Sequence, residues 1–271
     1  MTSTPRRFGM ATLDVQCEQV VASIEDRILK VVLNRPEKKN ALTQQMYLAI
    51  VAALEELDRN AELRCLYITG VDNIFTSGND VIDFMTAPPD LETSAVAKLL
   101  TTLPQTQKPL IAAVNGLAIG IGTTLLLHCD LAYAAEGAIF QTPFANLGLC
   151  PEAGSSYLMP ALMGHARASE WLLLGEKLPA SKAKEHGIVN DVFADAELQE
   201  KAWAKALQLA AQPPGAVRLS KALMKQHRLQ VLPDVMRTEG REFGARLTSE
   251  EAAEAFGAFV ERRKPDFSRF S

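Results

Sequence analysis

One carboxylate in this sequence stands in surroundings that suit proton transfer. Glu152 is the only acidic residue between Ile139 and Met163. Burial among apolar residues penalises the charged form of a carboxyl and raises its pKa, so that the group exchanges protons near neutral pH. We therefore predict that Glu152 is an acid/base catalyst. The alternative is that it lies in the first turn of a helix and stabilises the helix dipole.

A glycine-bearing turn, Gly120-Ile121-Gly122, separates two apolar segments. The first, Leu110–Val114, is short and apolar enough for a buried strand, and Thr123–Leu127 has the composition of a helix. When a strand passes through such a turn into a helix, backbone N–H groups point outward and can hold an oxyanion or a phosphate. A packing role for the two glycines is the alternative.

A second turn of this kind lies in the segment from Phe75 to Val81. Gly78 permits backbone conformations that other residues avoid, so the turn can direct the N–H of Asn79 outward. Asp80 precedes a helix-like segment, and its predicted structural role is that of an N-cap.

The surrounding elements predict an α/β fold. Strands Val15–Ile24 and Ile28–Leu33 flank an expected hairpin turn at Glu25-Asp26, and helix Thr43–Leu57 leads to strand Cys65–Thr69. This β-α-β order predicts parallel strands.

The chain after Ser156 is mainly helical in its patterning. Thr248–Glu251 has the form of a capping box. The predicted elements are helices Tyr157–Met163, Ala166–Leu174, Ala180–Glu185, Glu197–Ala211, Gly215–His227 and Ala252–Val260, with an extended segment at Ile188–Val192. We predict a core from residue 1 to 195 and a helical region from 196 to 271 that covers a ligand or packs against another subunit.

Composition narrows the function classes. The 271 residues are 48% hydrophobic and 22% charged, as in an ordinary globular enzyme, and the net charge of −4 argues against nucleic-acid binding. Four scattered cysteines without a CxxC pair suit reduced thiols, and the four histidines lack ligand spacing, so no metal site is predicted. The N-terminus lacks the apolar region of a secretory signal, and we expect a cytoplasmic protein.

Five ordered segments resemble the crotonase family, the enoyl-CoA hydratase/isomerase superfamily, over nearly the whole chain. They are residues 33–42, 75–80, 115–120, 142–154 and 263–267. The resemblance implies a crotonase-like spiral of β-β-α units with a C-terminal helical region, assembled as a homotrimer or a dimer of trimers. It also implies an acyl-CoA thioester whose carbonyl lies between two backbone N–H groups, by position those of Asn79 and Ile121.

The acidic residues discriminate between reactions within that family. A typical hydratase carries two glutamates at positions where this chain has Thr124 and Phe144. Glu152 stands where the Δ3,Δ2-enoyl-CoA isomerases keep their single catalytic glutamate. The resemblance therefore implies isomerisation of a 3-enoyl-CoA through a thioester dienolate. The alternatives are another crotonase reaction, such as hydration or hydrolysis, and a non-catalytic acyl-CoA-binding subunit.

The resemblance also indicates where the substrate binds. It places the adenosine and phosphates of CoA near two loops, Lys38–Ala41 and Ser77–Val81, and no cofactor is expected apart from the CoA of the substrate. The predicted substrate-binding residues are Lys38, Ala41, Ser77, Gly78, Asp80, Val81, Gly120 and Phe144. Lys38, Lys39 and Lys264 are either phosphate partners or solvated surface charges. Phe144, Leu147 and Tyr157 either line the acyl pocket or belong to the core.

Overall fold

The computed structural model describes residues 11–80 and 94–270, in which two β-sheets carry the fold. The strands are β1 Ala11–Leu13, β2 Val20–Glu25, β3 Ile28–Leu33, β4 Cys65–Gly70, β5 Ile74–Thr76, β6 Leu110–Val114, β7 Leu117–Ile119, β8 Leu131–Ala135, β9 Ile139–Gln141, β10 Leu178–Pro179 and β11 Asp191–Phe193. A seven-stranded sheet has the order β1-β2-β3-β4-β6-β8-β11, and a four-stranded sheet has the order β10-β9-β7-β5. From β3 onward the neighbours in the large sheet are parallel, which confirms the prediction from the β-α-β order.

The chain alternates between the two sheets in a repeated β-β-α pattern. The pairs β4/β5, β6/β7 and β8/β9 each place a longer strand in the large sheet and a short strand in the small one. Every residue of β4 and β6 is buried, as expected for parallel strands covered on both faces. The predicted crotonase-like spiral is therefore confirmed, and the short strands are its second layer.

The helices surround these sheets. They are α1 Gln44–Arg59, α2 Ala95–Gln105, α3 Ile121–Thr124, α4 Ser155–Met163, α5 His165–Ser169, α6 Ala180–Glu185, α7 Leu198–Ala210, α8 Pro214–Lys225, α9 Arg228–Leu247 and α10 Glu250–Val260. Helix α7 packs on the large sheet through Ala202 and Ala206, which are fully buried. No helix in the described part of the chain is both long and apolar enough to cross a bilayer. The predicted division at residue 195 stays a prediction.

The first predicted strand and its hairpin differ from the structure. Gln16 has a φ of 57°, which breaks the extended run, so β2 begins only at Val20. The hairpin turn lies at Asp26-Arg27, one residue later than predicted, because Glu25 already pairs with Ile28. Both turn residues have positive φ, as the commonest two-residue hairpin turn requires.

Several predicted helices also need correction. The segment predicted as Thr123–Leu127 is the short α3 followed by a 3₁₀ turn, Leu125–His128. Helix α9 was not predicted, because Pro233 and Gly240 lie inside it and both disfavour helix interiors. Yet Leu232, Glu239 and Phe243 form the buried face of α9, so an acidic residue occupies an otherwise apolar stripe.

The predicted capping box is only half right. Ser249 caps α10 by accepting a hydrogen bond from the N–H of Ala252 at 3.1 Å. Glu251 forms an ion pair with Arg246 of α9, which ties the two C-terminal helices together.

Candidate active site

Three segments of the candidate site follow three neighbouring strands of the small sheet. Strands β5, β7 and β9 are parallel and adjacent, with Ile74 opposite Leu117 and Ala118 opposite Phe140. Because the carboxyl ends of parallel strands lie at one edge of a sheet, the residues that follow them meet there. The glycine turn of Gly78 follows β5, the glycine turn of Gly120 follows β7, and the segment leading to Glu152 follows β9.

The three segments enclose a cavity of about 100 Å³. Its lining residues are Ser77, Gly78, Asn79, Ile119, Gly120, Ile121, Pro143, Phe144, Leu147, Leu149, Glu152, Phe243 and Phe256. Glu152 carries the one ionisable side chain among these lining residues. An apolar pocket with a few convergent polar groups is the usual form of a small-molecule site.

The turn after β5 carries Asn79, which lines this cavity. Gly78 has a φ of 91°, and a Cβ there would lie 2.9 Å from the carbonyl oxygen of Ile119, so the turn needs glycine. The backbone of Leu42 pairs with both neighbours of Asn79. Its N–H donates to the carbonyl of Gly78 at 2.8 Å, and its carbonyl accepts from the N–H of Asp80 at 3.0 Å. Successive N–H groups of an extended chain point to opposite sides, so that of Asn79 faces away from Leu42.

The side chain of Asn79 is held from helix α1. The hydroxyl of Tyr47 donates a hydrogen bond to Oδ1 of Asn79, and Tyr47 is almost fully buried. Burial, and secondarily the nearby charge of Glu152, raises the pKa of Tyr47 well above its usual range, so it remains a neutral donor. Sequence analysis missed Tyr47 because it lies on the ordinary apolar face of α1.

The second turn places Ile121 at the first position of α3. Gly120 has a φ of 57°, and its N–H donates to the carbonyl of Gln141 at 2.8 Å, which fastens the turn to β9. The first N–H groups of a helix have no partner within the helix, and they attract negative charge. The N–H of Ile121 is one of these groups, and Ile121 lines the cavity.

Glu152 is partly buried and lines the cavity. The pKa of its carboxyl is raised to about 8, chiefly by burial and also by the charge of Glu239, while a hydrogen bond from Thr124 acts in the opposite direction. The donor is the Thr124 hydroxyl, which bonds to Oε1 of Glu152. The predicted raised pKa is thus present, and its main cause is burial. The alternative role, in which Glu152 stabilises a helix dipole from the first turn, is wrong, because Glu152 precedes α4 and does not lie in its first turn.

The turn after Glu152 has an unusual backbone. Ala153 has a φ of 58° and Gly154 a φ of 74°, both in the left-handed region. The carbonyl of Ala153 accepts a hydrogen bond from Nε2 of His128 at 2.8 Å. Burial lowers the pKa of His128 to about 4, so the ring is neutral at pH 7 and its proton lies on Nε2.

Glu152 is isolated in the sequence but not in space. Helix α9 brings Glu239 to the same turn, where the carboxylate accepts hydrogen bonds from the N–H of Gly154 at 2.6 Å and of Ser156 at 2.9 Å. The hydroxyl of Ser156 is a third donor. Sequence analysis missed Glu239, although an acid on the buried stripe of a helix is the signal that would have indicated it.

The two loops predicted to hold CoA lie side by side at the rim of the cavity. The N–H of Ser77 donates to the carbonyl of Lys39 at 3.0 Å. Nη1 of Arg35 joins the loops by donating to Ala41 at 2.9 Å and to Asp80 at 2.7 Å. The carboxylate of Asp80 thus pairs with a cation. The helix that it was predicted to cap, together with Val81, falls outside the described residues.

The predicted acyl-pocket residues divide into two groups. Phe144 and Leu147 line the cavity with Glu152, whereas Tyr157 lines a separate surface cavity. The structure adds Phe243 of α9 and Phe256 of α10, two helices that lie about 100 residues further along the chain. Lys38 is exposed and does not reach the cavity lining.

The cavity thus brings together most of the predicted site residues. They are Ser77, Gly78, Asn79, Gly120, Ile121, Phe144 and Glu152. Thr124, which stands where a hydratase glutamate was expected, adjoins the cavity through its bond to Glu152.

Comparisons with known proteins identify the family of this chain. A sequence profile described as enoyl-CoA hydratase/isomerase matches residues 23–269. Enoyl-CoA delta isomerase 2 of Rattus norvegicus is 38% identical over 90% of this chain, and the match spans 64% of that protein's length. The 2,3-dehydroadipyl-CoA hydratase of Escherichia coli is 32% identical, covering 92% of this chain and 98% of the hydratase.

Solved structures show the same relationship. The crystal structure of an enoyl-CoA hydratase/isomerase from Pseudoalteromonas atlantica superposes with a TM-score of 0.88 at 37% identity. The match covers 92% of this chain and the whole of that one.

Proposed function

The chain belongs to the enoyl-CoA hydratase/isomerase family of the crotonase superfamily, and we propose that within it the protein is a Δ3,Δ2-enoyl-CoA isomerase. It moves the double bond of an acyl-CoA thioester from C3–C4 to C2–C3. The observation that carries the proposal is that Glu152 is the one acid among the described residues lining the cavity, with Thr124 bonded to it.

Glu152 acts first as a base and then as an acid. Its carboxylate removes a proton from C2, which leaves a dienolate whose negative charge is on the thioester oxygen. The carboxylic acid so formed then returns a proton at C4, and the double bond comes to lie between C2 and C3. A carboxyl with a pKa near 8 suits both steps, because it exchanges protons readily at neutral pH.

The charge of the dienolate is held by main-chain donors. We assign this role to the N–H groups of Asn79 and Ile121, which belong to the turns after two adjacent parallel strands. Removing a single donor of this kind typically lowers the rate about 10²–10³-fold, or roughly 3–4 kcal/mol. Since neither donor needs to reorganise during the reaction, both act at full strength when the charge develops.

Hydration is the less suitable reaction for this site. Adding water to a double bond requires groups that activate the water, and two acidic side chains are the expected ones. Thr124 and Phe144 occupy those positions, and neither is a base. The similarity to a hydratase over 98% of that protein's length makes hydration the second candidate.

Substrate binding follows from the same arrangement. Lys38, Ala41 and Asp80 lie in the two loops that Arg35 joins, where we place the CoA moiety, and Val81, the next residue in the sequence, remains part of the proposal. Phe144 and Leu147 contact the acyl chain. Isomerisation changes no oxidation state, so the proposal includes no cofactor besides the CoA of the substrate. A homotrimer or dimer of trimers and a cytoplasmic location remain part of the proposal.

Incubation with 3-enoyl-CoA esters in deuterated water tests this function. We expect a 2-enoyl-CoA product with deuterium at C4 and exchange at C2. Glu152→Gln should lower kcat at least 10²-fold while still binding CoA esters, whereas Glu136→Gln, which changes an exposed glutamate, should have no effect. Unchanged turnover by Glu152→Gln would refute the proposal. A 3-hydroxyacyl-CoA product would favour hydration, and binding without turnover would favour a non-catalytic subunit.

A further inference from the structure

Glu239 is a buried acid that the proposed mechanism leaves without a role. Its side chain is only 7% exposed, and it is not among the residues that line the cavity. Lone carboxylates are rarely buried to this extent, because removing the charge from water is unfavourable unless donors compensate. Its three donors all come from residues 154–156, the segment that directly follows Glu152.

The carboxylate of Glu239 replaces a missing helix cap. Helix α4 begins at Ser155, and its N-cap is Gly154, which has no side chain to accept the first N–H groups. Oε2 of Glu239 accepts from the N–H of Gly154, and Oε1 accepts from the N–H of Ser156. The cap therefore comes from a residue 85 positions away from Gly154.

One peptide group in this turn is held from both sides. The carbonyl of Ala153 and the N–H of Gly154 belong to the same peptide unit. His128 donates to that carbonyl at 2.8 Å, and Glu239 accepts from that N–H at 2.6 Å. Ala153 and Gly154 both have positive φ, a conformation that persists only when the surroundings hold it. Ala153 directly follows Glu152, so these two hydrogen bonds fix the backbone immediately after the acid.

We propose that Glu239 is a positioning residue, which holds the turn from Glu152 to Ser156 in the conformation that presents the Glu152 carboxyl to the cavity. The inference rests on the proposed function of Glu152 as the acid/base. Glu239 acts on the reaction only through this turn and through its charge.

The charge of Glu239 and the burial of Glu152 both act on the pKa of Glu152 in the same direction. The charge raises the pKa of Glu152, and the three donors stabilise the charged form of Glu239 against its own burial. Helix α4, which packs on α9, contributes no charged residue. Titratable and charged groups on α9 itself and on the neighbouring elements include Tyr47, His128, Cys150, Tyr157, Asp234, Arg237, Arg241, Glu242, Arg246 and Glu251, and Asp234 pairs with Arg237. Tyr47 and His128 are neutral at pH 7, Glu242 pairs with Arg241, and Glu251 pairs with Arg246.

The test compares Glu239→Gln with Glu242→Gln. Both variants remove one negative charge from α9, but Glu242 is exposed and lies one turn further on. In a glutamine one of the two carboxylate oxygens becomes an NH₂ donor, so either the N–H of Gly154 or that of Ser156 faces a donor in place of its present acceptor. We expect Glu239→Gln to lower kcat at least tenfold with KM changed less than threefold. Its rise of kcat/KM with pH should move to lower pH, because the charge that raises the pKa of Glu152 is gone.

Glu242→Gln should match the wild type in kcat, in KM and in the pH profile of kcat/KM. If Glu239→Gln stays within twofold of the wild-type kcat, or lowers kcat without moving the pH profile, the inference is wrong. Should Glu239→Gln fold poorly, Glu239→Asp keeps the charge with a shorter reach. It should lower kcat and leave the pH profile in place, and an unchanged kcat would equally overturn the inference.

A second readout separates this inference from the proposed function. The infrared absorption of protonated carboxyls, taken as wild type minus Glu152→Gln, reports the titration of Glu152 without any substrate. That titration should shift to lower pH in the Glu239→Gln background. If the wild type does not isomerise 3-enoyl-CoA, the proposed function fails, and this titration alone decides whether Glu239 acts on Glu152.

Discussion

The hydroxyl of Thr124 donates a hydrogen bond to Oε1 of Glu152 across 28 residues of sequence. By the family resemblance, Thr124 takes the place of a hydratase's catalytic glutamate, so that a neutral donor lies beside Glu152 instead of a second acid. The bond stabilises the charged form of Glu152, which burial disfavours. Under the proposed function, this pair therefore sets how readily Glu152 acts as a base.

Thr124→Val should raise the pKa of Glu152 above about 8, because the donor to its charged form is lost. One pKa unit changes the ionised fraction about tenfold, so the rate at pH 7 should fall roughly tenfold and recover at higher pH. The measurement is kcat/KM against pH. Thr123→Val is the control, since the hydroxyl of Thr123 bonds to the carbonyl of Ala118 instead. An unmoved profile in Thr124→Val would contradict the role of this bond.

The raised pKa of Glu152 should cost stability at high pH. The folded protein keeps this carboxyl protonated up to about pH 8, whereas in the unfolded chain it ionises near 4.5. Between these values the folded state binds more protons, so its stability falls as pH rises. Glu152→Gln should therefore match the wild type below pH 4.5 and exceed it above pH 8, by about 2–4 kcal/mol after allowance for partial exposure. Denaturant unfolding at several pH values measures this, and a constant difference would contradict it.

Tyr47→Phe should impair the turn that carries the Asn79 N–H. The substitution leaves Oδ1 of Asn79 without its donor in a buried site, which typically costs about 1–3 kcal/mol. We expect kcat to fall roughly tenfold, because a displaced oxyanion donor weakens the transition state more than substrate binding. Tyr67→Phe is the matched control, since this buried hydroxyl bonds to Gln199 at 2.9 Å away from the cavity. It should lower the melting temperature without changing kcat, and equal kinetics for both variants would contradict the assignment.

Arg35→Met should separate the two loops proposed to hold CoA. Arg35 and Asp80 are both largely buried, and breaking such a pair leaves a carboxylate without its cation, at about 2–4 kcal/mol. KM for CoA esters should rise roughly tenfold while kcat changes little, which steady-state kinetics would show. Arg59→Met removes a pair with Glu56 in which the arginine is 80% exposed, and should leave both quantities unchanged. A normal KM in Arg35→Met would place CoA elsewhere.

Phe256→Leu should change the preference for acyl length. Phe256 is buried and lines the cavity, so a smaller side chain leaves room for a longer chain. A methylene in a hydrophobic pocket is worth about 10-fold or more in kcat/KM, and we expect a shift of that size towards longer esters. Phe259→Leu, on the same helix but 61% exposed, should leave the preference unchanged. An identical preference in both variants would remove Phe256 from the acyl pocket.

Local sequence was sufficient to predict much of the fold. Strand Leu110–Val114 was predicted with the bounds that the structure has, because a short apolar run is typical of a buried parallel strand. Helix α9 was missed, since Pro233 and Gly240 disfavour a helix locally while packing of Leu232 and Phe243 stabilises it. Propensity acts within a few residues, and burial depends on the whole chain.

The candidate site likewise has a part that local sequence predicts and a part that depends on the packing of distant elements. The sequence by itself determined Glu152 and the turns of Asn79 and Ile121, because an isolated acid and a glycine bend are visible within a few residues. Only the tertiary structure decided that Glu239 and Tyr47 hold these groups in place, across 85 and 32 residues of chain. Such contacts depend on which elements pack together, and spacing along the sequence does not encode that.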